Sequence, residues 1–145
     1  MSFVHRLQNP APPGYVTPSF PSLYWPFPGL GSNQGAESFY LYHTQDIWRF
    51  TLLWTILFYA AVHLATSGYA VLVQLKNWKV VWVVPVVYFV VGGIEAFIAG
   101  SIVGGLLGAI YNAGFFRMST WIPFVWAFIN TLILILSSFA IQGGL

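Results

Sequence analysis

The stretch VVWVVPVVYFVVGGIEAFIAGSIVGGLLGAIY, residues 80–111, decides the fold. It runs 32 residues with one formal charge, Glu95. In water such a run would need apolar cover on every side, and a chain of 145 residues has no second core to supply it. Hydrocarbon as solvent removes the difficulty. A straight helix of this length measures about 48 Å, well beyond the ~30 Å hydrocarbon core. Either one long, bent helix overshoots the core, or a break at Gly92-Gly93 or Gly104-Gly105 folds it into a hairpin. The bent helix is favoured, because a hairpin inside lipid strands backbone polar groups that nothing satisfies.

Working outward, residues 50–75 contain no formal charge and make a first span of about 39 Å. A basic turn, Lys76-Asn77-Trp78-Lys79, joins it to the second. After a polar stretch containing Arg117, residues 122–141 form the third, with Pro123 tolerated in its first turn. Six of the seven tryptophans flank these spans: Trp48, Trp54, Trp78, Trp82, Trp121 and Trp126. That distribution is the aromatic belt expected at the two membrane interfaces. Orientation is a tie on charge alone, since Arg49 and Arg117 on one side balance Lys76 and Lys79 on the other. No cleavable signal peptide is visible before residue 46, so the first span is expected to serve as its own targeting signal.

Composition agrees. Apolar residues make up 58% and charged residues 6%, against ~45–50% and ~25% in soluble domains. The net charge of +2 is scattered, with no basic cluster to hold nucleic acid. The chain has no cysteine, which excludes disulfides, thiolate metal sites and cysteine nucleophiles. The fold class is therefore an all-α integral membrane protein. Three transmembrane helices in residues 47–145 follow an irregular arm, residues 1–46.

The arm is a separate regime. Pro10, Pro12, Pro13, Pro18, Pro21, Pro26 and Pro28 forbid a helix. The run Phe20-Pro21-Ser22-Leu23-Tyr24-Trp25-Pro26-Phe27-Pro28 is as aromatic as it is proline-rich. It suits a segment lying on the bilayer interface or a strip that docks a partner; a proline-motif ligand is a weaker reading. At its end, Asp46 precedes the first apolar run and is placed to cap the first helix.

Two patterns stand out within the spans. Gly92, Ala96, Gly100, Gly104 and Gly108 recur every fourth residue, a smooth ridge on which another backbone can approach closely. It can serve the protein's own helices, self-association or a foreign subunit. Secondly, His63, Glu95 and Asn130 each fall near the middle of one span. A charge at that depth costs ~2.5 kcal/mol or more and needs a partner or a proton. Interhelical hydrogen bonding within this cluster is the plain reading. A proton or lipid-headgroup site, or a kink that carries Glu95 to an interface, are the others.

Catalytic constellations are missing: there is no nucleophile elbow, no HExxH helix and no P-loop. His43 and Asp46 are two potential ligands and do not make a metal site. No catalytic, cofactor-binding or metal-binding residue is assigned, and no cofactor or soluble small-molecule substrate is expected. The expected partners are the lipid bilayer and other membrane proteins or a second copy.

Trp48, Leu53-Trp54, His63 and Ala65 resemble the opening span of the eukaryotic transmembrane protein 170 family. Ala99-Gly100, then Gly108-Ala109-Ile110-Tyr111-Asn112-Ala113-Gly114, then Ile122-Pro123-Phe124 resemble its second half, in the same order. The likeness covers residues 46–139, and the arm falls outside it. The family pattern is uncharged around Glu95, so that residue is not carried over. The resemblance implies three spans in the endoplasmic reticulum and contiguous nuclear envelope, with a lumenal N-terminus. It further implies a role in membrane sheet–tubule balance and in nuclear envelope and pore organisation, without catalytic residues. On that basis the chain is expected to be a non-enzymatic protein that shapes or organises the membrane through helix packing and partner contacts. The alternative is an accessory subunit of a larger membrane complex, such as a lipid-handling assembly. A small transporter fits poorly, because three spans leave little room for alternating access.

Overall fold

The computed structural model describes residues 11–24, 39–77 and 81–143. Three helices carry the chain: α1, Thr44–Val73; α2, Val83–Ala113; and α3, Trp121–Gly143. Each is long and apolar enough to cross a membrane, α3 over Trp121–Ala140. The protein is an integral membrane protein. At ~1.5 Å per residue, the 30 and 31 residues of α1 and α2 span about 45 Å, so both project beyond the hydrocarbon.

The second helix is unbroken through Gly92-Gly93 and Gly104-Gly105, so no hairpin forms there. Gly92 and Gly104 are buried, and the close approach of a neighbour at both takes the place of a turn. Pro85 is the third residue of α2, where its missing donor costs nothing. At the other boundary the expectation is corrected. α1 starts at Thr44, and the capping position is His43, in extended conformation with no side-chain cap bond. Asp46 lies inside the first turn, where its carboxylate complements the helix dipole without capping it.

The helices alternate in direction, and α1 is central. α2 lies along most of its length, α3 packs on another side, and α2 and α3 barely touch each other. One end of the bundle therefore gathers the arm, the start of α1, the end of α2 and the start of α3. Lys76 lies at the other end; Trp78 and Lys79 fall outside the described residues.

The arm end is not purely helical. Tyr40–Leu41 (β1) pairs antiparallel with Met118–Ser119 (β2), Tyr40 opposite Ser119 and Leu41 opposite Met118. Leu41 and Met118 are fully buried in a cluster with Ile47, Phe50 and Leu107, so burial of these two side chains holds the short ladder in place. The Arg117 guanidinium sits over the Tyr40 ring at 4.5 Å.

Residues 11–24 dock on the protein's own helices. Thr17 Oγ1 donates to Asp46 Oδ2 at 2.8 Å, Thr120 Oγ1 to the Ser22 carbonyl, and Trp121 Nε1 to the Tyr24 carbonyl. Phe20 inserts between Phe50 and Trp54, with ring centroids 5.6 and 4.9 Å away. Tyr15 donates to the Tyr40 carbonyl at 2.8 Å. Burial, and then the nearby Asp46 carboxylate, push its phenol up to about 12, so it remains a protonated donor at neutral pH. The rest of the Pro-aromatic run, from Trp25 to Pro28, lies outside the described residues.

The aromatic belt is also revised. Trp82 and Trp126 are exposed, whereas Trp54 is buried against Phe20, Phe58 and Phe124. Trp54 locks the arm to α1 and α3 instead of lying at an interface.

Candidate functional site

The small-residue ridge of α2 is seated on α1. A Cβ added at Gly108 would meet the Thr44 side chain and backbone, and one at Gly104 would lie 3.1 Å from Thr51 and from the Trp48 backbone. At Gly100 it would meet Leu52 and Thr55 at 3.0–3.2 Å, and at Gly92 the His63 ring at 2.7–2.8 Å. Ala96, between them, is buried. The two helices thus run antiparallel in one continuous seam, in the close-backbone manner that small residues permit. Gly93 and Gly105, one step round the helix, face open space.

Threonines complete the seam. Thr51 and Thr55 turn their hydroxyls back to the carbonyls of Ile47 and Thr51, at 2.9 and 2.8 Å, and present carbon to the glycines. Thr44 Oγ1 crosses to the Gly108 carbonyl at 3.2 Å. The stripe Thr44, Trp48, Thr51, Thr55 has helical spacing and could have been read as the partner of the glycine ridge.

The seam ends in the polar centre. His63 Nε2 and Glu95 Oε2 are 3.6 Å apart, within ion-pair reach and beyond a direct hydrogen bond. His63 Nδ1 lies 2.8 Å from the Tyr59 carbonyl. A carbonyl only accepts, so Nδ1 carries a proton and Nε2 is the nitrogen shown to Glu95. His63 is mostly buried at 14% side-chain exposure, but Glu95 is 45% exposed and faces partly outward.

Asn130 does not join them. Tyr59 Oη donates to its backbone carbonyl at 3.3 Å, and its side-chain nitrogen has no hydrogen-bond partner among the described residues. Tyr59 is the link that sequence reading missed: it holds α3, stacks beside His63 at 6.3 Å and accepts its Nδ1 proton. Asn130 is at the middle of the Trp121–Ala140 span; with that level taken as the membrane mid-plane, Tyr59 marks it on α1. His63, four residues on, sits about 6 Å from it.

Two lateral clefts meet at His63 and Tyr88. One of about 170 Å³ lies between α1 and α2, against Ala60, Gly92 and Ala96. The other, about 230 Å³, is lined by α1 and α3 with Tyr88 of α2, and Thr66 and Ser138 stand among its apolar walls. Among the described residues no group of three His, Asp or Glu side chains converges to hold a metal ion. Of the remaining positions that carry the family likeness, Pro123 is fully buried, Tyr111 packs on the arm-end cluster and Leu53 is 40% exposed.

The sequence model of the family described as Transmembrane protein 170A/B-like matches residues 40–145. That extends the likeness read from the motifs at both ends and takes in β1. The chain is also 40% identical over 136 residues to Uncharacterized protein YPR153W of Saccharomyces cerevisiae, an alignment covering 94% of each chain and so reaching into the arm. No solved structure matches it. With all three spanning helices, the glycine seam and the His63 position inside the matched region, the chain belongs to the transmembrane protein 170A/B-like family.

Proposed function

We propose that the protein is a non-enzymatic organiser of the endoplasmic reticulum membrane and the contiguous nuclear envelope, acting through helix packing and contacts with other membrane proteins. The observation that carries this reading is the unfinished side of the bundle at mid-membrane. There α2 and α3 barely touch, and the half-exposed Glu95 carboxylate lies 3.6 Å from His63, which lines the cleft beside them. A polar group open to hydrocarbon is costly, and a partner helix covering that side lowers the cost. The arm is lumenal in this reading and Lys76 cytosolic. A glycosylation acceptor inserted within the first 40 residues is then expected to be modified, and one beside Lys76 to stay unmodified; the reverse pattern would invert the topology.

A second reading, an accessory subunit of a lipid-handling complex, is favoured by the lateral clefts themselves. Their walls suit an acyl chain, and Thr66 and Ser138 add a polar element to the larger one. Purification in mild detergent separates the two. Self-association or substoichiometric, exchangeable companions support the organiser, whereas one set of companions in fixed stoichiometry supports the subunit.

A further inference from the structure

At the arm end a third cleft, of about 250 Å³, lies between the arm and the first turns of α1. Thr17, Phe20, Asp46, Arg49, Phe50 and Leu53 line it. Asp46 keeps one carboxylate oxygen bonded to Thr17, and Arg49 is exposed with no ion pair or hydrogen bond among the described residues. The cleft is therefore lined by one anionic group and one unused cationic group.

Depth identifies what meets it. Arg49 is ten residues from the mid-plane marker Tyr59, about 15 Å along the helix, at the edge of the ~30 Å hydrocarbon core. Asp46 lies about 4.5 Å further out, in the headgroup layer. Leu53 and Leu57, 40% and 54% exposed, continue the same helical face inward. From water to mid-plane the face reads carboxylate, guanidinium, leucine, leucine. A phospholipid with an amine headgroup reads ammonium, phosphate, acyl chain in the same direction.

We infer that this cleft binds a zwitterionic phospholipid, its phosphate on Arg49, its ammonium on Asp46 and a chain along Leu53 and Leu57. Guanidinium matches phosphate geometry, and the free carboxylate oxygen takes the ammonium. A headgroup lacking the amine leaves Asp46 facing a bare negative charge. This site is independent of the mid-membrane centre.

Native mass spectrometry of the full chain, released from nanodiscs containing equal phosphatidylethanolamine and phosphatidylglycerol, tests it. The wild type is expected to retain phosphatidylethanolamine preferentially, and Arg49→Gln to lose about tenfold of that retention. Arg49→Lys is expected to recover part of it. Asp46→Asn keeps the Thr17 bond yet is expected to abolish the preference between the two lipids, a ratio insensitive to the amount of folded protein. Equal retention of both lipids by the wild type, or undiminished retention by Arg49→Gln, would overturn the site and leave annular lipid only.

Discussion

Gly104→Leu is expected to lower stability in detergent by about 3 kcal/mol, the upper end of overpacking costs, while Gly105→Leu beside it is tolerated. The contrast comes from what each Cβ meets. At Gly104 the neighbours at 3.1 Å include the Trp48 backbone, which cannot rotate away as a side chain can. Relief requires α2 to lift from α1, which also parts Gly100 from Leu52 and Gly108 from Thr44. At Gly105 nothing lies within 4 Å, and replacing a helical glycine removes a penalty of up to ~1 kcal/mol. Equilibrium unfolding of both variants in one detergent checks the prediction. Equal shifts would mean that the glycine face is not the seam.

The second large effect is at Gly92. A methyl group there would lie 2.7–2.8 Å from three atoms of the His63 ring, so Gly92→Ala has to displace the imidazole. Displacement breaks the Nδ1 bond to the Tyr59 carbonyl and the contact with Glu95 together. The expected cost is ~2 kcal/mol, from overpacking and a lost buried hydrogen bond. Removing the ring first, as His63→Ala, leaves the methyl group room. The double variant is therefore expected to fall short of the summed losses by ~1 kcal/mol or more. Additivity of the two changes would show that His63 does not occupy the Gly92 notch.

The spans were legible because charge avoidance and the four-residue glycine repeat are properties of single segments. Residues 80–111 and the ridge from Gly92 to Gly108 needed no knowledge of a partner. Helix ends were less legible. Thr44 and Asp46 are polar, and polarity does not tell a solvated approach from a helix projecting into the headgroup layer. The two-residue ladder of Tyr40–Leu41 and Met118–Ser119 carries no alternating pattern; it exists because Leu41 and Met118 find a common core. Glu95 was legible as a mid-membrane liability, but not its partner. His63 and Asn130 were equivalent candidates until the rotation of α3 about α1 was known, and Tyr59 sets that rotation through a backbone carbonyl. Trp54 was misjudged for a related reason, since an indole suits an interface or a core equally and the docked arm decides between them.

The central claim is that the mid-membrane pair of His63 and Glu95 positions helices and performs no chemistry. Glu95→Gln tests it most directly, because an amide preserves shape and hydrogen-bonding capacity while abolishing both the charge and proton exchange. The variant should match wild-type stability within ~0.5 kcal/mol. If the protein organises the endoplasmic reticulum and nuclear envelope as proposed, the Gln variant should restore their morphology in full in cells lacking the wild-type chain. A Gln variant that folds normally, reaches the same membrane and fails to restore that morphology would contradict the account and make Glu95 the functional centre.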